Sequence, residues 1–185
     1  MGERFDRLHD KHRAFIARQH LFFAASATAD SRINLSPRST DLFRVVSECR
    51  VLYLDRTGSG NETAAHLLAD GRLTIMFCAF SGPPRILRLY GRGSLVQRWS
   101  ETFDAIVRDC FADDLPAGAR QVVQLNIDLV KESCGFGVPR FDYAGEREAL
   151  ERWAEDKGPA GIEAYWRERN RTSLDGDPTG IFPEE

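Results

Sequence analysis

YLDRTGSGNETAAHLL, residues 53–68, carries the chain out of a strand, through a glycine-containing turn and into a helix. A strand that turns sharply into a helix is one way a protein builds an anion site. Gly58 and Gly60 permit tight turns and close approach of backbone N–H groups, and a helix start adds unpaired donors and the positive end of its dipole. Ser59 and Glu62 also have the S-x-x-E spacing of a capping box, Ser59 as N-cap and Glu62 as N3. A plainly capped helix and an anion site are both compatible with this stretch.

Two nucleotide-binding patterns can be tested against the same residues. A dinucleotide fingerprint needs glycine where Thr63 stands, and no acidic residue follows at the next strand to hold a ribose. A P-loop needs a lysine, and this loop has none. Upstream, Asn34-Leu-Ser-Pro-Arg38 offers a second phosphate element. Ser36 and Arg38 lie two apart in an extended segment and project to one side. A hydroxyl beside a guanidinium suits a phosphate because arginine gives charge-assisted, often bidentate hydrogen bonds. A solvated arginine at a strand end is the plainer reading of that pentapeptide.

Outward from this region, residues 4–20 read as an amphipathic helix with Phe5, Leu8, His12, Phe15 and Ile16 on one face. LFFAASAT (21–28) and INLSP (33–37) form an expected hairpin across the polar turn ADSR. RVLYLD (50–55) and RLTIMFCAF (72–80) read as buried strands, the second buried on both faces. NETAAHLLADG between them reads as a short helix ending at Gly71. Strands are expected at 86–96 and 121–133, the latter with one buried face, and a helix at 99–110. The tail from Phe141 switches to charged, helix-forming composition broken at Gly158-Pro159. The expected architecture is mainly β with peripheral helices, a six-stranded antiparallel barrel in one domain: an N-terminal helix (1–20), the barrel core (21–133) and a helical extension (141–185).

Composition excludes several classes of protein. The chain has 185 residues, 42% hydrophobic and 29% charged, with net charge −3. That balance is ordinary for a globular domain and gives no basic excess for nucleic acid. The charged start MGERFDRLHDKHRAF lacks a signal-peptide apolar core and no later run has transmembrane length, so a cytoplasmic location away from membranes is expected. Cys49, Cys78, Cys110 and Cys134 are irregularly spaced and read as buried free thiols. His9 and His12 share a helical spacing without a third ligand, so no metal is expected.

FFAASATADSRINLSPR, RVLYLDRTGSGNETAAHLLADGRLTIMFCAF and PRILRLYGRGSLV in succession resemble the core of the pyridoxamine 5'-phosphate oxidase family, closest to a bacterial subgroup with NLSPK/R and TGSGNETAAHL. CGFGVPRFDYAGERE and SLDGDPTG extend the likeness into the tail. The resemblance implies an FMN-binding split barrel, a homodimer and two flavin sites at the subunit interface. By motif position it places Ser36 and Arg38, then Thr57, Gly58, Ser59, Gly60, Asn61, Glu62 and Thr63, at the flavin phosphate and ribityl chain, and makes Arg88 a candidate near the ring. The chain departs from the oxidase pattern in three places. The basic pair near Glu62 and Thr63 is absent, Ile86 or Arg88 stands where a glutamine meets the flavin, and the C-terminal arginine-and-histidine substrate motif is missing. The expected function is an FMN-dependent oxidoreductase acting on a small molecule, the cofactor carrying the chemistry. Tyr90 and the Cys134–Gly137 loop are further ring-side candidates. A non-catalytic flavin- or haem-binding module and a deazaflavin-dependent reductase are the alternatives.

Overall fold

The computed structural model describes residues 2–112 and 115–183. Eight strands form one antiparallel sheet, curled into a split barrel with four helices at its margins. Four strands make its first half: β1 (Glu3–Phe5), β2 (Leu21–Ser26), β3 (Asn34–Ser39) and β4 (Phe43–Val45). The others are β5 (Arg50–Arg56), β6 (Arg72–Cys78), β7 (Arg85–Gln97) and β8 (Ala119–Cys134). Their order is β3-β2-β6-β7-β8-β5-β4, with β1 added on β8. The six expected strands are all present, and β1 and β4 are three-residue additions. No described helix is long and apolar enough to cross a membrane.

β3 and β4 are the edges of the sheet, so the barrel is open between β3 and the β4–β5 pair. Pro37 is tolerated in β3 because an edge strand needs only one ladder. The barrel interior is filled by Phe22, Tyr53, Ile75, Phe77, Leu87, Leu89 and Leu125. Leu52 and Leu54 on the other side of β5 pack with Phe103 and Val107 of helix α3 (Glu101–Phe111). β5 is therefore buried on both faces. β6 alternates buried and half-buried residues, so the expectation of two-sided burial is corrected: its outer face has no helix over it. The N-terminal expectation is corrected as well. Residues 3–5 pair with Glu132, Lys131 and Val130 of β8, leaving helix α1 only Asp10–Ile16. Two of the four cysteines, Cys49 and Cys134, are exposed because they sit where strands end; Cys78 alone is fully buried.

The β7–β8 hairpin is the longest pairing, and its register shifts between Tyr90 and Gly91. A β-carbon at Gly91 would stand 1.9 Å from the Asn126 carbonyl oxygen, so only glycine fits this bulge. Gly91→Ala is expected to lower the unfolding free energy by about 1–3 kcal/mol, the usual cost of overpacking. A urea denaturation midpoint equal to wild type would show that the bulge relaxes freely.

Candidate functional site

The site is built where the barrel is split. Asn34, Ser36 and Arg38 alternate along β3 opposite Ser26, Ala24 and Phe22 of β2, so all three face the barrel interior. Leu35 and Pro37 face out. The Arg38 guanidinium reaches across the open side of the barrel to Asp55 of β5 and lies 5.0 Å over the Tyr53 ring. This ion pair ties two strands that share no ladder.

Asp55 is fully buried and accepts from three side chains. Besides Arg38, it accepts from Arg120 Nε at 2.8 Å and Gln121 Nε2 at 2.9 Å, both on β8. Gln121 Nε2 also donates to Asn61 Oδ1 at 2.8 Å. Arg120 Nη1 donates to the Gly60 carbonyl and to Asn170 Oδ1, each at 2.9 Å. Burial pushes the Asp55 carboxyl up, but Arg120 and Arg38 together outweigh it and hold it below the ordinary carboxylate range. Two guanidinium groups facing one carboxylate leave the cluster one positive charge in excess, which suits an incoming anion.

The Thr57–Asn61 turn follows β5 and leads into helix α2 (Glu62–Ala69). The helix is capped by Asn61 with no side-chain cap bond. The expected Ser59–Glu62 capping box is thus corrected, because Glu62 begins the helix and both its carboxylate oxygens accept from the Leu174 N–H, at 2.9 and 3.1 Å. Neither Gly58 nor Gly60 uses a positive φ. At Gly60 the constraint is space: a β-carbon there would meet Glu62 Oε1 at 3.1 Å.

Between β3 and this turn lies a cleft of about 520 Å³, of a size that accommodates small ligands. Ser36, Arg38, Gly58, Ser59, Gly60, Glu62 and Thr63 line it together with Arg56, Arg120 and Leu174. Thr63 accepts a hydrogen bond from Asn34 Nδ2 at 3.0 Å, which joins the two sequence elements directly. Thr57 and Asn61 stand behind the cleft. Thr57 Oγ1 donates to the Gly118 carbonyl and accepts from Trp166 Nε1, both at 2.7 Å. Arg88 stands elsewhere, between Met76 and Lys131 on the outer face of the sheet, and Tyr90 shares that face. A second cleft of about 230 Å³ adjoins the first, sharing Arg38, Arg56 and Gly58.

The donor set suits a phosphate monoester. Arg38 Nε and Asn61 Nδ2 are buried there without a hydrogen-bond partner among the described residues. Burial also raises the Tyr53 hydroxyl to about 12. The unfolded chain then ionises Tyr53 near pH 10 while the folded chain keeps the proton. The stability held below pH 10 is expected to fall by about 2–3 kcal/mol as pH rises to 12. Alkaline titration of tyrosine absorbance checks this: wild type minus Tyr53→Phe should give one late-titrating hydroxyl, and a difference midpoint near 10 would contradict it.

Asp55, Arg120, Gln121 and Asn170 are site residues that sequence reasoning missed. Only Asp55 left a signal, as a carboxylate inside an otherwise apolar strand. The tail closes the site through helix α4 (Ala149–Arg169), bent at Gly158. Its Trp166, Trp153 and Tyr165 pack on this same chain around Ala154, Ile162 and Ile181.

The family model for pyridoxamine 5'-phosphate oxidase matches residues 8–134. A pyridoxamine 5'-phosphate oxidase family protein of Aspergillus flavus, ustO, is 41% identical over 150 residues, 80% of this chain; the chain spans only 60% of that relative's length. Among solved structures, a similar one is a pyridoxamine 5'-phosphate oxidase-related, FMN binding protein from Nostoc punctiforme (TM-score 0.51, 10% identity, 66% of this chain and 82% of that one). HutZ, the heme storage protein from Vibrio cholerae, has TM-score 0.50 at 17% identity, over 70% of this chain and 97% of its own. HupZ from Group A Streptococcus gives 0.54 at 16% identity, over 66% and 91%. At these identities the structures share the fold. The extent of the family match and the identity to the fungal relative establish that the chain belongs to the pyridoxamine 5'-phosphate oxidase family.

Proposed function

We propose that this chain is a homodimeric FMN-dependent oxidoreductase acting on a small molecule, with the flavin phosphate in the cleft between β3 and the Thr57–Asn61 turn. One observation carries the reading: Arg38 and Arg120, sharing a single buried carboxylate, meet the Ser36 and Thr63 side chains and the start of α2 around that cleft. The description of the Nostoc punctiforme relative as FMN binding supports it. Arg38 and Arg120 supply charge for the phosphate, Ser36 and Thr63 supply hydroxyls, and the first turn of α2 supplies backbone donors. When bound, the flavin provides the hydride chemistry. Tyr53 and Leu150 border the adjoining cleft.

The outer face supports a dimer. Phe23, Met76, Ile86 and Tyr90 are half-buried there, and Ile33 and Leu35 at the β3 end are 79% and 61% exposed. Arg88 lies within that face, so a second copy covering it would bring Arg88 into the interface, where the flavin ring would meet it.

The haem alternative rests on the fold shared with the heme storage protein. Haem needs an axial ligand, yet among the described residues no histidine lines the cleft: His12 and His66 are buried in the chain, His20 stacks on Tyr143, and His9 stands at the start of α1. Flavin is the better fit. The test is the visible spectrum of purified protein with added FMN and then NADPH under anaerobic conditions. Bound flavin bands that bleach support an oxidoreductase. Bands that persist favour a binding module, a deazaflavin-type absorbance would replace FMN as the cofactor, and absence of flavin uptake would remove the proposal.

A further inference from the structure

The C-terminal segment lies outside the stretch matched by the family model, which ends at residue 134, yet it bonds the anion-site turn at Thr57, Gly58 and Glu62. Trp166 Nε1 donates to Thr57 Oγ1 at 2.7 Å, and Asn170 Nδ2 donates to the Gly58 carbonyl at 3.2 Å. Asn170 Oδ1 accepts from Arg120 at 2.9 Å, and the same Arg120 nitrogen donates to the Gly60 carbonyl. The Leu174 N–H holds Glu62 at the helix start. Asn170 is itself fully buried, and its carbonyl accepts from Thr179 Oγ1 at 2.6 Å, so the segment is fixed at its own end. Arg32, in the β2–β3 turn, pairs with Asp175, which ties the segment to the other wall of the cleft.

In a trans peptide the carbonyl and the following N–H point in opposite directions. Tying the Gly58 carbonyl to Asn170 therefore turns the N–H of Ser59 away from the tail. Glu62 is a carboxylate at the mouth of a site meant for an anion. Holding it on the Leu174 N–H keeps its charge occupied and its position fixed.

We propose that residues 166–174 form a clamp on the cofactor site, in which Trp166 and Asn170 are positioning residues that set the Thr57–Glu62 turn, so that FMN binding and docking of this segment stabilise each other. The inference rests on the FMN reading above. Its reciprocity follows from linkage: a segment that raises affinity for the cofactor is itself held more tightly when the cofactor is bound.

The experiment uses the full chain, FMN as the probe, and two variants. Trp166→Phe keeps the ring in the α4 packing and removes one N–H, whereas Asn170→Ala removes the bond to Gly58 and the bond from Arg120. FMN affinity is read by flavin fluorescence, and hydrogen exchange of peptides covering 160–180 is followed with and without FMN. The expected results are affinity weakened about 3–10-fold by Trp166→Phe and about 10–100-fold by Asn170→Ala, and slower exchange at 166–174 when FMN is bound. Circular dichroism without FMN tells loss of fold from loss of positioning, and if Asn170→Ala is unfolded the Trp166→Phe affinity decides. Wild-type affinity in a folded variant, with exchange indifferent to FMN, would overturn the clamp while leaving the flavin reading intact. No FMN binding by the wild-type chain would remove the flavin reading and the clamp with it.

Discussion

Asp55→Ala is expected to lower the free energy of unfolding by about 3–5 kcal/mol at neutral pH, as read from urea denaturation. The change leaves Arg38 and Arg120 buried against each other with no carboxylate between them, and it frees Gln121 Nε2 from one acceptor. An uncompensated charge held largely away from water costs more than the ion pair contributed. Asp55→Asn is informative beside it, since the amide keeps the shape and one acceptor but not the charge. The same carboxyl predicts acid behaviour. Its pKa in the folded chain lies below the ordinary value, so the stability it contributes is fully present above about pH 4 and is lost as pH falls through the depressed folded value. Asp55→Ala should abolish that part of the acid dependence. A variant with wild-type stability and wild-type acid unfolding would mean that the cluster contributes nothing to the fold.

Arg38→Ala is expected to weaken FMN binding by about 1.5–3 kcal/mol, roughly 10- to 150-fold, the range for a hydrogen bond to a charged group. Asp55 still has Arg120 in that variant, so the fold retains a charge partner on β8 and the loss falls mainly on the ligand. Arg38→Lys should restore only part of the affinity, because an ammonium is a point charge and cannot span Asp55 and a phosphate as a planar fork does. Fluorescence titration of FMN into the two variants measures both effects. Equal affinity in wild type and Arg38→Ala would place the phosphate away from β3.

The cluster also alters how each motif is read. NLSPR and TGSGNETAAHL each admitted a plain structural account, a strand end and a capped helix. In the folded chain the capped-helix account fails in its detail, since Asn61 and not Ser59 precedes the helix and Glu62 turns to the tail. Arg38 likewise is no solvated arginine, because Asp55 draws it across the split of the barrel. What brings the two motifs together is the curl of the sheet, which sets β3 and β5 opposite each other without a shared ladder.

Period-two alternation and the glycine-rich turns were enough to place the six longer strands, the α2 and α3 helices and the break at Gly158, because each depends on neighbours a few residues apart. The family was legible for the same reason, from short contiguous strings. The three-residue strands β1 and β4 were not, since so few residues carry no periodicity and exist only as partners of β8 and β5. Nor were Arg120 and Asn170, which reach the turn over sequence separations of 60 to 112 residues. Local sequence determines which residues can form a strand, a turn or an anion-binding pair. Which carboxylate neutralises Arg38, and which segment closes over the Thr57–Asn61 turn, is decided only when the barrel has curled and the tail has docked, because those contacts depend on burial and on distance in space.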